Sequence, residues 1–431
     1  MTFRPQNLPP KSEEEEREHQ KLVEDNRKQY LQKVRERERM QEKKRVEQER
    51  REKRMIESVS IWEKELLPNW DQVKRTKRVR ELWIEGLPPG IRGKVWYYAF
   101  GNRNSITQDL YYIKSDQGRK LRKLLKEITQ IDQEIIDNGG QPKRVPPTPQ
   151  KMLTESILSE LDDKFGSENQ QHPKLSALAQ RYDKLKKKLN FMIGFETLPQ
   201  NNAIQSRERS ISIIETDLPR TFPALKVFQP GSQHYDSLQR ILEAFTMHRP
   251  DIGYIQGMSY VAAVLLLYMD EHQAFVTFCN MITKFPIMPF YSFNEPQVRK
   301  IMQLFKQVFQ HNLPELCEHL ETENIQPKQY VYEWFMTLFT RSLSLGLVSR
   351  VWDFYFLDGI FILYQTAIAI LRILQKQLLE QDFEGIMLIM KNTQEHVTDE
   401  EQLASYIYEV SFPKWVYDEI PKLEGDFMKT I

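Results

Sequence analysis

Glycine is scarce in this chain of 431 residues: there are 16, where average usage of ~7% would give roughly 30. That scarcity argues against glycine-rich phosphate loops and against turn-dense β architectures. Cysteine is scarcer still. Cys279 and Cys317 alone support neither a disulfide framework nor a zinc site, and a reducing, intracellular compartment is the simple reading. Charge of one sign is missing as well: 61 Lys and Arg face 60 Asp and Glu, a net charge of +1. No global field therefore favours nucleic acid or an anionic membrane. Long hydrophobic runs are absent. Residues 260–269 and 360–374 fall short of the ~18–20 unbroken apolar residues of a membrane span, and Gln365 and Arg372 interrupt the second. Both read as buried core helices of a soluble protein. Residues 1–11 have no apolar stretch of the secretory kind, so no signal peptide is expected.

Catalytic signatures are also wanting. Residues 88–95 contain Gly93-Lys94, but Pro88 stands where a P-loop needs glycine and Val95 where it needs Ser or Thr for Mg²⁺. His248-Arg249-Pro250-Asp251 resembles a kinase catalytic loop only at its start: no Asn follows at the required spacing and no Asp-Phe-Gly occurs. Gly-x-Ser-x-Gly, His-Glu-x-x-His and an EF-hand loop are lacking, and the eight histidines are scattered. The chain is expected to bind no metal, cofactor or nucleotide of its own.

What is present is helical. Residues 13–57 alternate charges of both signs, with sparse apolar residues in no sustained heptad. Glu–Lys and Glu–Arg pairs three and four apart support a helix without a core. Residues 1–60 thus read as a charged, helical or partly disordered arm, a solvated spacer first and a weak coiled coil second. Aromatics become frequent from Trp62 onward, so a globular part is expected over 61–425. Residues 102–210 are polar again. The Gly- and Pro-rich stretch 139–149 marks a linker between Lys-rich, weakly amphipathic helices near 117–137 and 174–192. This reads as a long, partly disordered insertion. Arg207-Glu208-Arg209-Ser210 and Pro147-Thr148-Pro149 suit phosphorylation there. Beyond it, Leu238, Ile241, Leu242 and Phe245 mark one helix face. Ile301, Leu304, Phe305, Val308 and Phe309 mark a second, Tyr332, Phe335, Met336 and Phe339 a third, and Leu371, Leu374 and Leu378 a fourth. No β alternation is sustained and no fixed repeat occurs. The fold class is all-α, one large multi-helix domain behind a long charged helix.

Two short stretches stand out. In the first, Ile214, Asp217 and Arg220 recur at three-residue spacing, which places acid and arginine on one face of a helical segment. Pro223 favours a break after that turn, so Arg220 projects near a loop, tethered by Asp217. In the second, Gly253 and Gly257 bracket Tyr254 and Gln256 before a buried helix begins. Such glycines allow a tight turn and close approach, and the Gln256 amide can both donate and accept outward. Each stretch alone has an ordinary explanation, a surface ion pair or a helix-entry loop. Together, in an all-α chain without a nucleotide site, an Arg and a Gln resemble a pair of fingers offered to a GTPase.

The motifs resemble the TBC-domain family of Rab GTPase-activating proteins. Its Ile-x-x-Asp-x-x-Arg motif matches Ile214, Asp217 and Arg220, and its Tyr-x-Gln-Gly motif matches Tyr254, Gln256 and Gly257. An opening pattern matches Trp83, Gly86, Leu87, Pro88, Arg92 and Trp96, with Arg78 or Arg80 serving for its first arginine. A later pattern matches Arg350, Val351, Trp352, Asp353 and Gly359. These run in family order over about residues 80–380. The lead-in from Ile61 to Trp70 further resembles a vesicle-traffic subgroup linked to recycling endosomes and autophagy. The resemblance implies a GTPase activator in which Arg220 stabilises charge on the transferring phosphoryl group and Gln256 orients the water. GTP and Mg²⁺ would arrive on a GTP-bound Rab partner. Asp217 would orient the arginine loop, and Tyr254, Gly253 and Gly257 would shape the glutamine loop. Trp83, Arg92, Trp96, Arg350, Trp352 and Asp353 would be structural, with Arg92 and Asp353 in a buried polar contact. A cytoplasmic protein held peripherally at endomembranes (endosome, Golgi or autophagosome) through Rab or an adaptor would follow. Ile255 stands where the family often has Cys or Val, and the 102–210 insertion is longer than typical. The competing reading is a non-catalytic Rab-binding scaffold with a coiled-coil arm.

Overall fold

The computed structural model describes residues 13–140, 173–193 and 200–428. Among these residues every regular element is helical. The chain divides into two compact units between Pro88 and Pro89.

The first unit begins with α1 (Glu13–Ile61), 49 residues long. Local charge pairs hold it: Arg45 bonds Glu42 at 2.6 Å and Glu49 at 2.7 Å. Such pairs contribute ~0.2–0.5 kcal/mol each. Leu22, Val23, Tyr30, Leu31 and Met40 are exposed, so over this stretch the helix has little core to lean on. Burial starts at its end. The chain widens into a π-type turn at Trp62–Leu66, tightens at Leu67–Asn69, and continues through α2 (Trp70–Val73) and α3 (Lys77–Glu85). Trp83 packs against Trp62 and Trp70, ring centroids 6.0 and 6.1 Å apart. Arg51 Nε donates to the Glu85 carbonyl at 2.7 Å, satisfying a helix-end acceptor. The compact arm unit reaches Pro88, beyond the composition shift near residue 60, and these tryptophans pack on one another within it.

The second unit opens with α4 (Pro89–Phe100) and α5 (Gln108–Asp137), followed by α6 (Pro173–Ile193) and α7 (Gln200–Asp217). Next come α8 (Gln233–His248), α9 (Met258–Tyr268) and α10 (Glu271–Ile282). Then follow α11 (Met288–Tyr291), α12 (Glu295–Asn312), α13 (Pro314–Thr322) and α14 (Val331–Met336). The unit closes with α15 (Leu345–Asp358), α16 (Phe361–Leu379), α17 (Phe383–Lys391), α18 (Thr393–His396), α19 (Glu400–Glu409) and α20 (Lys414–Met428).

Within 102–210, helix α5 is packed more firmly than the loose insertion expected there. Thr107 caps α5, its Oγ1 accepting from Leu110 N at 3.1 Å. The helix then buries Leu121, Leu124, Leu125, Ile128, Ile131 and Ile135, and its main partner is α8. Lys and Arg on the outer face mask this stripe in the sequence. Ser210 is buried in α7 rather than available on a flexible segment. Thr148 and the linker beyond Gly140 lie outside the described residues. The approach of α5 to α8 is close: a Cβ on Gly118 would stand 2.7 Å from Glu243 Cβ.

The apolar faces of α8 and α12 are buried as their spacing predicts, and α9 and α16 are the two buried apolar runs. Among the described residues no helix is long and apolar enough to cross a membrane. The expected Tyr332–Phe339 face is shorter. The chain leaves the helix after Met336, and Leu338 and Phe339 take φ of 50° and 65°. Trp352 Nε1 donates to the Leu338 carbonyl at 3.0 Å and holds that turn.

One buried carboxylate ties α4 to α15. Asp353 accepts from Arg92 Nε at 3.0 Å, Arg92 Nη2 at 3.1 Å and Trp96 Nε1 at 2.9 Å. Arg350 Nη1 stands 3.8 Å away. Burial pushes the Asp353 carboxyl up, and Arg92 and Arg350 hold that rise down. Removing the acid strands the nearly buried Arg92 cation, at a cost of about 3–5 kcal/mol. Asp353→Ala should therefore lower the denaturant midpoint by that equivalent in an equilibrium unfolding measurement.

Glu243 on α8 is fully buried. Arg122 Nε lies 3.2 Å from its carboxylate, and neither carboxylate oxygen has a hydrogen-bond partner among the described residues. Burial raises its pKa from 4.5 to about 7, against the Arg122 charge. The folded state thus holds this proton more tightly than the unfolded chain does. Its stabilising contribution is complete below pH 4.5 and is lost as pH rises to about 7. Glu243→Gln should remove that loss: the stability gap between variant and wild type should widen from pH 4.5 to 7, measured by urea unfolding at several pH values.

Candidate functional site

Helix α7 ends at Asp217, and the chain tightens through a 3₁₀ turn at Leu218–Arg220, where Pro219 fixes φ at the turn's start. Thr221 is extended, Phe222 adopts φ 44°, and Pro223 opens a further tight turn. The break comes earlier than Pro223: regular structure stops at Arg220, Thr221 is extended and Phe222 takes the left-handed conformation. Arg220 thus stands at a loop apex with its side chain 61% exposed, while the Asp217 side chain is 6% exposed.

Asp217 is shared. Its Oδ1 accepts from Arg220 Nη2 at 2.5 Å and its Oδ2 accepts from the Tyr254 hydroxyl at 3.0 Å. Arg220 Nε also donates to the Thr216 carbonyl at 3.2 Å. Tyr254 is buried, and desolvation, then the Asp217 charge, raises its phenol well above the usual range. It stays a donor to the carboxylate.

The second loop enters α9. Gly253 adopts φ 67° and donates its N–H to the Arg249 carbonyl at 2.9 Å. The Tyr254 N–H donates to Ser210 Oγ at 2.9 Å. Gly257 adopts φ 103°, and a Cβ there would lie 3.2 Å from Thr337 Cγ2. Both constraints favour glycine at 257. Gln256 between them is exposed, and no hydrogen bond occupies its side chain among the described residues.

Two further hydrogen bonds join the Arg220 loop to the start of α9, and two more brace the Arg220 loop itself. Thr221 Oγ1 donates to the Asp217 carbonyl at 3.0 Å and shares a hydrogen bond with Ser259 Oγ at 2.8 Å. The Tyr260 hydroxyl donates to the Arg220 carbonyl at 2.8 Å. The Gln229 amide donates to the Pro219 carbonyl at 3.0 Å. Sequence reasoning missed Ser210, Thr221, Gln229, Ser259 and Tyr260. The one signal was that a buried tyrosine and a buried threonine each need a partner.

Asp217, Arg220, Gly253, Tyr254, Gln256 and Gly257 are thus brought into two loops that share hydrogen bonds. Arg92, Trp96, Arg350, Trp352 and Asp353 form the separate buried cluster between α4 and α15. Trp83 belongs to the first unit. Among the described residues, no group of three or more His, Cys, Asp or Glu could hold a metal. An exposed guanidinium and an exposed amide on adjoining, braced loops can present a cation and a two-way hydrogen-bond group to a partner's surface.

Residues 166–379 match the Rab-GTPase-TBC domain. TBC1 domain family member 12 of Xenopus tropicalis is 32% identical over 436 residues, covering 99% of this chain and 54% of the relative. Human TBC1 domain family member 14 is 32% identical over 406 residues, covering 93% of this chain and 49% of the relative. Drainin of Dictyostelium discoideum is 26% identical over 421 residues, covering 97% of this chain and 89% of that protein. The chain spans about half the length of the first two. The matched span contains both loops and Asp353, and these residues of the chain belong to the Rab-GTPase-TBC domain family.

Proposed function

We propose that the chain is a GTPase-activating protein for a Rab-family GTPase in vesicle traffic, with Arg220 and Gln256 supplied in trans to GTP and Mg²⁺ held by the Rab. The observation that carries this reading is the shared Asp217 carboxylate, which joins an exposed arginine to the loop of an exposed glutamine. A GTPase alone lacks charge stabilisation and a well-held water. An arginine finger adds ~10³–10⁵ in rate and a glutamine aligns the water. Arg220 would release Asp217 and bond the phosphoryl oxygens, while Gln256 would donate and accept around the attacking water. Asp217, Tyr254, Gly253 and Gly257 would position these two groups without touching the nucleotide.

Membrane association would be indirect, through the Rab or an adaptor, and the endosome, Golgi or autophagosome would be the place of action. The long charged helix α1 would serve as a spacer or coiled-coil arm.

Single-turnover hydrolysis across a panel of GTP-loaded Rabs tests the reading. Arg220→Ala and Arg220→Lys should each lose at least ~10²-fold of the stimulated rate, because Lys lacks the planar, multi-donor fork. Gln256→Ala should lose a comparable factor. Gln256→Ala should unfold at the wild-type midpoint, and the two Arg220 variants within about 1 kcal/mol of wild-type stability, since both side chains are exposed. Equal rates for wild type and Arg220→Ala would sink the mechanism. Tight binding of a GTP-loaded Rab with no acceleration across the panel would favour the scaffold reading.

A further inference from the structure

We propose that Tyr260 is a positioning residue that pins the backbone of the Arg220 loop, and that Arg341 and Glu333 pin Tyr260 in turn. The inference rests on the reading that Arg220 acts on Rab-bound GTP. It names residues outside the two motifs that carry that reading.

The loop from Leu218 to Leu225 has few anchors of its own: Leu218 and Thr221 are its buried residues. Phe222 takes φ 44°, a conformation that costs a residue with a Cβ free energy and persists only where neighbours enforce it. Tyr260, half-buried on the first turn of α9, touches the loop at Arg220 and at the strained residue itself. Its hydroxyl donates to the Arg220 carbonyl at 2.8 Å. Its ring meets the Phe222 ring edge-on, centroids 5.0 Å apart at 65°. The ring has a second neighbour. The Arg341 guanidinium lies 5.6 Å from the Tyr260 ring centroid, and Arg341 is ion-paired to Glu333. The column Glu333–Arg341–Tyr260 therefore ends on the main chain of the residue that presents the finger.

Position matters here because the side chain of Arg220 must move. Its Nη2 is bonded to Asp217 and must exchange that partner for a phosphoryl oxygen. If the carbonyl of Arg220 is fixed, only the side chain swings and the loop stays put. If the carbonyl is free, the loop moves with it and the guanidinium arrives over a spread of positions. A displacement of about 1 Å costs on the order of 10²-fold in comparable cases, and losing one hydrogen bond corresponds to a smaller, partial loosening. The effect should fall on the chemical step, because the arginine's bond to the phosphoryl group is made in the transition state.

Tyr260→Phe tests this with the ring retained and the hydroxyl removed. The assay is single-turnover hydrolysis with the Rab of the panel that the wild-type chain accelerates most, at varied concentrations of the 431-residue chain. The maximal rate should fall about five- to tenfold, with the half-saturating concentration and the thermal midpoint unchanged. Arg341→Met should give a smaller fall of the same kind. On an Arg220→Ala background, Tyr260→Phe should lower the rate no further. An unchanged maximal rate for Tyr260→Phe, while Arg220→Ala is inactive, overturns this inference and leaves the arginine mechanism standing. A full additional fall on the Arg220→Ala background also overturns it, since Tyr260 would then act independently of Arg220. Wild-type activity in Arg220→Ala overturns both.

Discussion

The site depends on one carboxylate held where a carboxylate is poorly placed. Asp217 is the last residue of α7, at the end where the helix dipole disfavours negative charge, and it is buried. Both costs are met by two donors, Arg220 Nη2 from its own turn and the Tyr254 hydroxyl from the loop before α9. Each oxygen has one partner. Remove either donor and a buried anion loses half of its compensation; remove the acid and the two loops lose their common point. The Thr221–Ser259 and Tyr260–Arg220 bonds repeat the same join at the side-chain and main-chain level.

The magnitudes fit a tether that can be released. The Arg220 side chain is mostly exposed, so breaking its bond to Asp217 costs ~1 kcal/mol or less after solvent screening. An arginine finger contributes ~10³–10⁵ in rate, equivalent to about 4–7 kcal/mol of transition-state stabilisation. In the proposed role of Arg220 the gain would exceed the cost of release several times over, and the Tyr254 bond would remain on Asp217 when Arg220 leaves. A tether of this strength organises the loop before a partner arrives and does not compete seriously with it afterwards.

Local pattern made much of this legible. The i, i+3, i+4 faces of α8 and α12 are buried as spaced, and the three-residue step from Asp217 to Arg220 reads directly as an ion pair. The glycines at 253 and 257 stand out because glycine is rare in this chain, and both take positive φ. Long-range pairing was not legible. Nothing in the spacing of Asp217 and Tyr254 says that the phenol of one meets the carboxylate of the other, although a buried tyrosine hydroxyl demands some acceptor. Helix α5 was underread for a different reason: its Lys and Arg residues dominate composition, while the stripe from Leu121 to Ile135 that packs on α8 is narrow. The turn after Met336 was missed because the bond that makes it comes from Trp352, on another helix.

Asp353 supplies the control that separates architecture from function. It too is a buried acid bonded to an arginine. Their cations differ. The Arg92 side chain is 12% exposed, bonded through Nε and Nη2, and backed by Trp96 on the same carboxylate. Withdrawing it would strand a desolvated charge at several kcal/mol, so no partner could borrow it. The Arg220 side chain is 61% exposed and its bond to Asp217 uses Nη2 alone. An arginine serves a partner only if its own protein can spare it. Exposure of the guanidinium, not the presence of an acid beside it, is therefore the physical quantity that marks Arg220 for the surface and Arg92 for the core.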